Sequence, residues 1–435
     1  MAEPILINGA EMVAQVATIT VDNAWAAGDT AVVTCAGKSL TLTVGTDATA
    51  TGVALAITEM INGTTQTGTG DHTFSNTGTN IPEFTEFTAL ASGAALTLTG
   101  DTKGKPFTVT VSETTVGTGT LGLTLATVAA TGKWHWDNAD NWSTGAVPVN
   151  ADTVVLDNRA TADILYGLAQ SAVTLASLTI KNSFTKKLGL STLNSDSQSN
   201  NYPEYRATYL AIGATLLLIE GEGSGSGRIN INLGSVASTM TISSRGSAAE
   251  TNIPAVLIQG TNTANIANIS RGDVGFAFYE GESAHLATLN VGFETNQAGD
   301  STVRCGDGVD LGDAVVTQSG GTLTIETVNG TGTTTQSGGT LNVLAGAQAT
   351  ITADGTLNYA GAGTITTLSA SGTVDFRQGT GAVTVTNFTL GKGASLFDPA
   401  KRVTFTNAID LYRCKITDLQ AFDLGSHLTI QRTTI

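Results

Sequence analysis

The sequence predicts a mainly β protein in two parts. Residues 1–131 form a small α+β unit, and residues 132–435 form a parallel β-helix, a solenoid read as right-handed, closed by a C-terminal cap. Three observations predict this. A short motif repeats through residues 311–397, the composition suits strands joined by tight turns, and the hydrophobic period near the N-terminus switches briefly to that of a helix.

The repeat is the strongest of the three. Thr317-Gln318-Ser319-Gly320-Gly321-Thr322-Leu323 recurs as Thr335-Gln336-Ser337-Gly338-Gly339-Thr340-Leu341, with looser copies ending at Leu357 and Val374. The four apolar anchors are 18, 16 and 17 residues apart. A unit this short cannot bury its own apolar face, so it must stack on its neighbours. Alternation puts Leu323 and Ile325 on the inner side and the threonines outside. Steps of this size suit short rungs of either hand, and the absence of a hexapeptide pattern favours the right-handed one.

The composition agrees. Charged residues make up 13% of the chain, about half the usual share, while Gly is abundant at 51 residues. Abundant Thr and Gly favour strands and turns. The net charge of −16 would repel a phosphate backbone, so no nucleic-acid partner is expected. Cys35, Cys305 and Cys414 are far apart and odd in number, so neither a disulfide framework nor a zinc site is expected. The start, Met1-Ala2-Glu3-Pro4-Ile5, has no basic region or apolar run, and no 18-residue apolar segment follows. The reading is synthesis in the cytoplasm with no secretion signal and no membrane insertion.

In the first unit, Thr18–Val21 and Ser39–Val44 alternate as strands. Between residues 47 and 62, Val53, Ile57, Met60 and Ile61 fall at helical spacing, with Thr49 or Thr51 to cap the start and Gly63 beyond the end. Glu83–Leu90, Ala94–Thr99 and Phe107–Val111 read as strands, and Thr114–Gly122 as a link. The second unit opens at Trp134-His135-Trp136 and Trp142, an entry cap at 132–158. Irregular rungs follow at 159–310, interrupted by a polar insertion at 194–208, then regular rungs at 311–400. The end, 401–435, carries Asp410, Arg413, Lys415, Asp418 and Arg432 and reads as a polar cap, with strands at Phe405–Leu411 and Leu428–Ile430.

Few residues suggest chemistry. Tyr202, Tyr205 and Arg206 in the insertion, beside Glu204, are the candidate glycan-binding residues. Asp307, Asp310 and Asp313, three apart in a Gly-rich turn, are candidate calcium ligands, although the fixed loop and distal Glu of a recognised site are missing. Glu220 and Glu222 are a possible paired-carboxylate site, read instead as a solvated turn. Trp134, Trp136 and Trp142 suit either a sugar platform or a plug for the open end of the solenoid, and the plug is favoured. The four histidines are scattered, and no nucleophile elbow or P-loop occurs. No cofactor and no catalytic residue is expected.

Two resemblances follow from these motifs. The segment Trp136-Asp137-Asn138-Ala139-Asp140-Asn141-Trp142-Ser143, with Pro148 and Asp152, is similar to the start of single-stranded β-helix regions in surface proteins of autotransporter-repeat type. The first unit resembles small domains of tailed-phage virion proteins through Ala27-Gly28-Asp29, Gly37-Lys38, Pro82-Glu83-Phe84 and Thr102-Lys103-Gly104-Lys105-Pro106-Phe107. The second resemblance implies a non-enzymatic virion structural protein, docked on capsid or tail proteins by its N-terminal domain and projecting its solenoid as a decoration or fibre. A homo-oligomer, a trimer by analogy with symmetric appendages, is the expected partner state. The alternatives are a receptor-binding or glycan-degrading tail spike, with host-surface glycans as ligands, and an exported surface-layer or adhesin protein.

Overall fold

A computed structural model describes residues 3–412 apart from 69, 77–78, 80, 196–200, 221–227, 244–251 and 293–300, and beyond 412 only 415–416 and 428–429. Glu222, Arg413, Cys414, Asp418, His427 and Arg432 therefore lie outside the described residues, as does most of the expected C-terminal cap. The chain is mainly β, with one large parallel sheet compatible with a solenoid.

The first region contains β1 (Val16–Asp22), β2 (Thr30–Cys35), β3 (Lys38–Thr43), α1 (Ala50–Ile61), β4 (Thr73–Phe74), β5 (Phe87–Ser92), β6 (Ala95–Gly100), β7 (Val109–Thr114) and β8 (Thr120–Val128). They form two antiparallel sheets, ordered β5-β6-β1-β8 and β4-β3-β2-β7. The helix packs with them around one core that includes Ile19, Val33, Leu42, Ile57, Met60 and Leu98. Thr49 caps α1 by accepting the Gly52 N–H on Oγ1 at 3.0 Å, satisfying a donor that the first turn leaves open. Val53, Ile57, Met60 and Ile61 are all buried.

Two expectations need correction here. Residues 82–86 are a 3-10 turn, not a strand, and β5 begins only at Phe87. Pro82 occupies the first turn, where a fixed φ and a missing N–H do no harm, and Thr85 Oγ1 donates back to the Pro82 carbonyl at 2.7 Å. The expected link at Thr114–Gly122 holds the end of β7 and the start of β8. The latter returns along β1, pairing Ile19 with Leu123.

In the parallel region the chain pairs strands about one turn apart. β9 (Thr153–Leu156) lies beside β10 (Ala169–Ile180), placing Val154 opposite Leu178. From there one inward column runs Leu178, Leu217, Met240, Ala267, Leu289, Val316, Thr334, Ile351, Leu368, Phe388, Ile409, and the backbone pairing continues from Ile409 to Leu428. A second runs Ile229, Val256, Val274, Val303, Leu323, Leu341, Leu357, Val374, Leu396, and the backbone pairing continues from Leu396 to Ile416. The four anchors of the sequence repeat are consecutive members of this second column.

Two devices hold the repeats in register. Gln318 and Gln336 are fully buried. The Gln318 amide nitrogen donates to Thr340 O at 2.9 Å, and that of Gln336 to Thr356 O at 3.0 Å, so each side chain ties its own turn to the next rung. The second glycine of each Ser-Gly-Gly turn has positive φ, +69° at Gly321 and +78° at Gly339. Only a residue without Cβ adopts that geometry freely, and a Cβ on Gly339 would sit 2.4 Å from Gly321 O.

The entry end is closed by the chain's own start. Val155 N–H donates to Pro4 O at 3.1 Å and Leu6 N–H to Val155 O at 3.2 Å, covering the otherwise bare edge of β9. Leu6, Trp136 and Trp142 then fill the end of the core. The two indoles meet edge to face at 4.7 Å, and Trp142 Nε1 donates to Trp136 O at 2.8 Å.

Candidate functional site

The chemistry concentrates at the seam between the antiparallel and parallel regions. Its centre is Glu86, the last residue of the turn that begins at Pro82. The Glu86 side chain is 1% exposed. Its Oε1 accepts from Asn194 Nδ2 at 2.6 Å, Arg206 Nη2 at 2.9 Å, Lys105 Nζ at 3.0 Å and the Tyr202 hydroxyl. Oε2 accepts from the Tyr205 hydroxyl at 2.7 Å and Arg206 Nη1 at 3.0 Å.

The partner side of the seam is built locally. Residues 193–195 and 201–203 pair as a short antiparallel ladder, with Asn194 opposite Tyr202. Just beyond it, Glu204 Oε1 accepts the backbone N–H groups of Tyr205 and Arg206, both at 3.0 Å. That turn leaves Glu204 facing the guanidinium, which donates Nε to Oε1 at 2.7 Å and Nη2 to Oε2 at 3.1 Å. Arg206 Nη1 also donates to Pro106 O at 2.8 Å, and the guanidinium carbon lies 4.5 Å from the Tyr205 ring centroid. Two carboxylates, both almost fully buried, thus face Arg206, with Lys105 paired to Glu86 at the edge of the cluster.

Electrostatics follow from this arrangement. Burial by itself would raise the Glu86 carboxyl, but Arg206, Lys105 and the Tyr202 hydrogen bond outweigh it and hold the group below the usual carboxylate range. Burial pushes the Tyr202 phenol well above its ordinary value, and its bond to Glu86 pushes the same way. Burial likewise raises Tyr205, with Arg206 opposing. Cys35, whose thiol donates to Glu83 O at 3.3 Å beside this cluster, is pushed up to about 12 by burial and by Glu86.

The structure therefore brings the sequence candidates Tyr202, Tyr205 and Arg206 together, with their polar atoms engaged by Glu86 and Glu204. Beside them lies a cavity of about 370 Å³ whose walls include Lys105, Trp134, Asp163, Tyr166, Lys187 and Arg228. Trp134 is half-buried and tilts against Tyr166 at 6.4 Å. It thus differs from Trp136 and Trp142, which sit in the core.

No protein-family model, characterised protein or solved structure matches this chain. The likenesses drawn from short motifs thus have no whole-chain counterpart.

The remaining candidates are placed elsewhere. The Asp310 and Asp313 side chains are 63% and 77% exposed. Asp310 Oδ2 lies 3.0 Å from His285 Nδ1, and its Oδ1 accepts the Gly312 N–H. Asp307 is exposed in the same turn. No group of three or more His, Cys, Asp or Glu able to hold a metal ion occurs among the described residues. Glu220 pairs with Lys181 at 2.7 Å. His72 accepts the Gly45 N–H, and His135 Nε2 lies 2.8 Å from Gly104 O. Among the described residues no helix is long and apolar enough to cross a membrane.

Sequence reasoning passed over Glu86, Lys105 as a seam residue, Tyr166 and Arg402. One signal was available for Glu86: a carboxylate between Phe84 and Phe87 in a chain so poor in charge. Arg402 carried no signal. It is buried, and its guanidinium donates to five carbonyl oxygens, those of Tyr359, Phe376, Ala360, Gly361 and Gly381, stapling the last regular turns together.

Proposed function

We propose that this chain is a non-enzymatic structural component of a tailed-phage particle. Residues 1–131 attach to capsid or tail proteins. The parallel region is a right-handed β-solenoid that projects outward as a decoration or fibre, within a homo-oligomer of three copies. The carrying observation is the inward column that stays in register from Val154 to Ile409. A body in which every strand buries its apolar face on the strand before it resists bending along its length. The Glu86 seam supports the same reading, because a desolvated ion cluster between the two regions holds an attachment unit at a fixed angle to a stalk.

The test is to purify assembled particles, wash them at high salt, identify their proteins by mass spectrometry and image them. Expected are this chain in the washed particles and rod-like projections on capsid or tail that disappear when its gene is deleted. Recovery of the chain only from cell-envelope fractions would overturn the reading in favour of an exported surface protein. The isolated chain should appear as a rod whose length grows by roughly 4.7–4.9 Å per turn.

A further inference from the structure

We propose that the cavity at the seam binds an acidic saccharide, with one sugar ring stacked on Trp134 and a uronic acid carboxylate facing Lys187 and Lys105. The inference needs neither the particle reading nor any catalytic activity, since it concerns the isolated chain alone.

Three independent observations carry it. The first is the position of Trp134. Its neighbours Trp136 and Trp142 are consumed by the core, at 0% and 1% exposure. Trp134 instead lines the cavity with Tyr166, and its backbone carbonyl is fixed by the N–H groups of Leu165 at 2.9 Å and Tyr166 at 3.1 Å. An indole held at the wall of a polar cavity offers a flat apolar face with little side-chain entropy left to lose, the kind of surface a sugar ring covers.

The second is charge. The chain carries 36 acidic against 20 basic residues, yet this cavity gathers Lys105, Lys187 and Arg228 against Asp163 and Glu204. Glu204 is already taken up by Arg206, and Asp163 Oδ1 accepts the Lys187 backbone N–H at 2.9 Å. The Lys187 ammonium has no hydrogen-bond or ion-pair partner among the described residues. Lys105 is in turn paired with Glu86, so four cations (Lys105, Lys187, Arg206, Arg228) stand against three carboxylates (Glu86, Asp163, Glu204), a local excess of positive charge in a molecule of net charge −16 that favours an anionic ligand at Lys187.

The third is construction. About 370 Å³ falls within the range of small-ligand sites. The wall behind it is the Glu86–Arg206 cluster, which holds Lys105 by its ion pair. Tyr202 and Tyr205 support that wall from within, so the residues that suggested a sugar site from the sequence lie one layer behind the surface that meets the sugar.

The experiment titrates the full chain with an oligosaccharide of uronic acids, a neutral glucose oligosaccharide of the same length, and inorganic sulfate, reading tryptophan fluorescence and calorimetric heat. The uronic acid oligomer is expected to bind saturably, to bind at least about tenfold more tightly than the neutral one, and to weaken as salt rises. Trp134→Ala and Lys187→Gln should each weaken it by at least about tenfold, while Lys181→Gln, away from the cavity, leaves it unchanged. Circular dichroism checks the fold of each variant, and if Trp134→Ala unfolds the entry cap, Lys187→Gln and Trp134→Phe carry the test. Binding that ignores both sites, no saturable binding of the uronic acid oligomer, or sulfate binding as tightly as that oligomer would each overturn the proposal.

Discussion

The seam and the regular rungs hold the same chain together by opposite means. At the seam, stability is concentrated in one buried cluster of Glu86, Lys105, Glu204 and Arg206, with two tyrosines and an asparagine completing its hydrogen bonds. In the rungs from Leu311 to Phe397 it is distributed: aliphatic columns, the buried Gln318 and Gln336 of the first two copies and ordinary strand ladders, each term small. A distributed design tolerates the loss of one member, because neighbouring rungs keep their own contacts. A concentrated one does not, because removing one charge leaves its partner desolvated and unpaired.

The sharpest way to break that contrast is Glu86→Ala. It leaves Lys105 without its ion pair and Arg206 with Glu204 as its remaining carboxylate, and the expected loss is about 3–5 kcal/mol. Denaturant unfolding followed by Trp fluorescence should then show the antiparallel region melting ahead of the parallel one. A single transition at the wild-type midpoint would show that the seam contributes nothing. In the rungs, Leu341→Ala removes one fully buried member of a column, with an expected loss of about 2–5 kcal/mol. Hydrogen exchange should locate the damage in the adjacent rungs alone.

Acidity and alkalinity probe the seam without mutation. The folded Glu86 carboxyl lies below its ordinary value, so its stabilisation is present above the unfolded value of about 4.3 and is lost as pH falls through the folded one. Tyr202 and Tyr205 are raised, so their contribution is complete below about 10 and is lost at higher pH, where the unfolded phenols ionise first. The wild-type protein should therefore lose stability at both extremes, and Tyr202→Phe should flatten the alkaline limb in a pH series of thermal midpoints.

Smaller effects sharpen the comparison further. Gln336→Ala removes the amide that satisfies Gly339 O and Thr356 O. The expected cost is about 1–3 kcal/mol, measurable as a shift in denaturant midpoint with unchanged slope. Lys181→Ala breaks a half-exposed pair with Glu220 and should change stability by less than about 1 kcal/mol.

The legibility of the molecule divides along the same line. The register of Leu323, Leu341, Leu357 and Val374 could be read by eye because equal spacing, alternation and Ser-Gly-Gly turns coincide there. The earlier rungs belong to the same columns, but the step is 39 residues from Leu178 to Leu217 and 17 from Ile351 to Leu368. Insertions of that size hide the column from any periodicity. The helix was legible because four apolar residues and a cap lie within one short window. The turn at residues 82–86 was not, since Glu83-Phe84-Thr85-Glu86-Phe87 alternates well enough to pass for a strand, and Pro82 decides otherwise.

What the sequence determined by itself is the inner architecture of the rungs, because the residues that stack there are one short turn apart and obey one local rule. What only the tertiary structure decided is the seam. Glu86, Lys105, Trp134, Tyr166, Lys187 and Arg206 come from separate elements with no common spacing, and they meet because the antiparallel region packs against the entry of the parallel one. Which tryptophan is core and which lines a cavity is settled by the same packing, since the side chains are chemically alike and differ only in what the fold places over them.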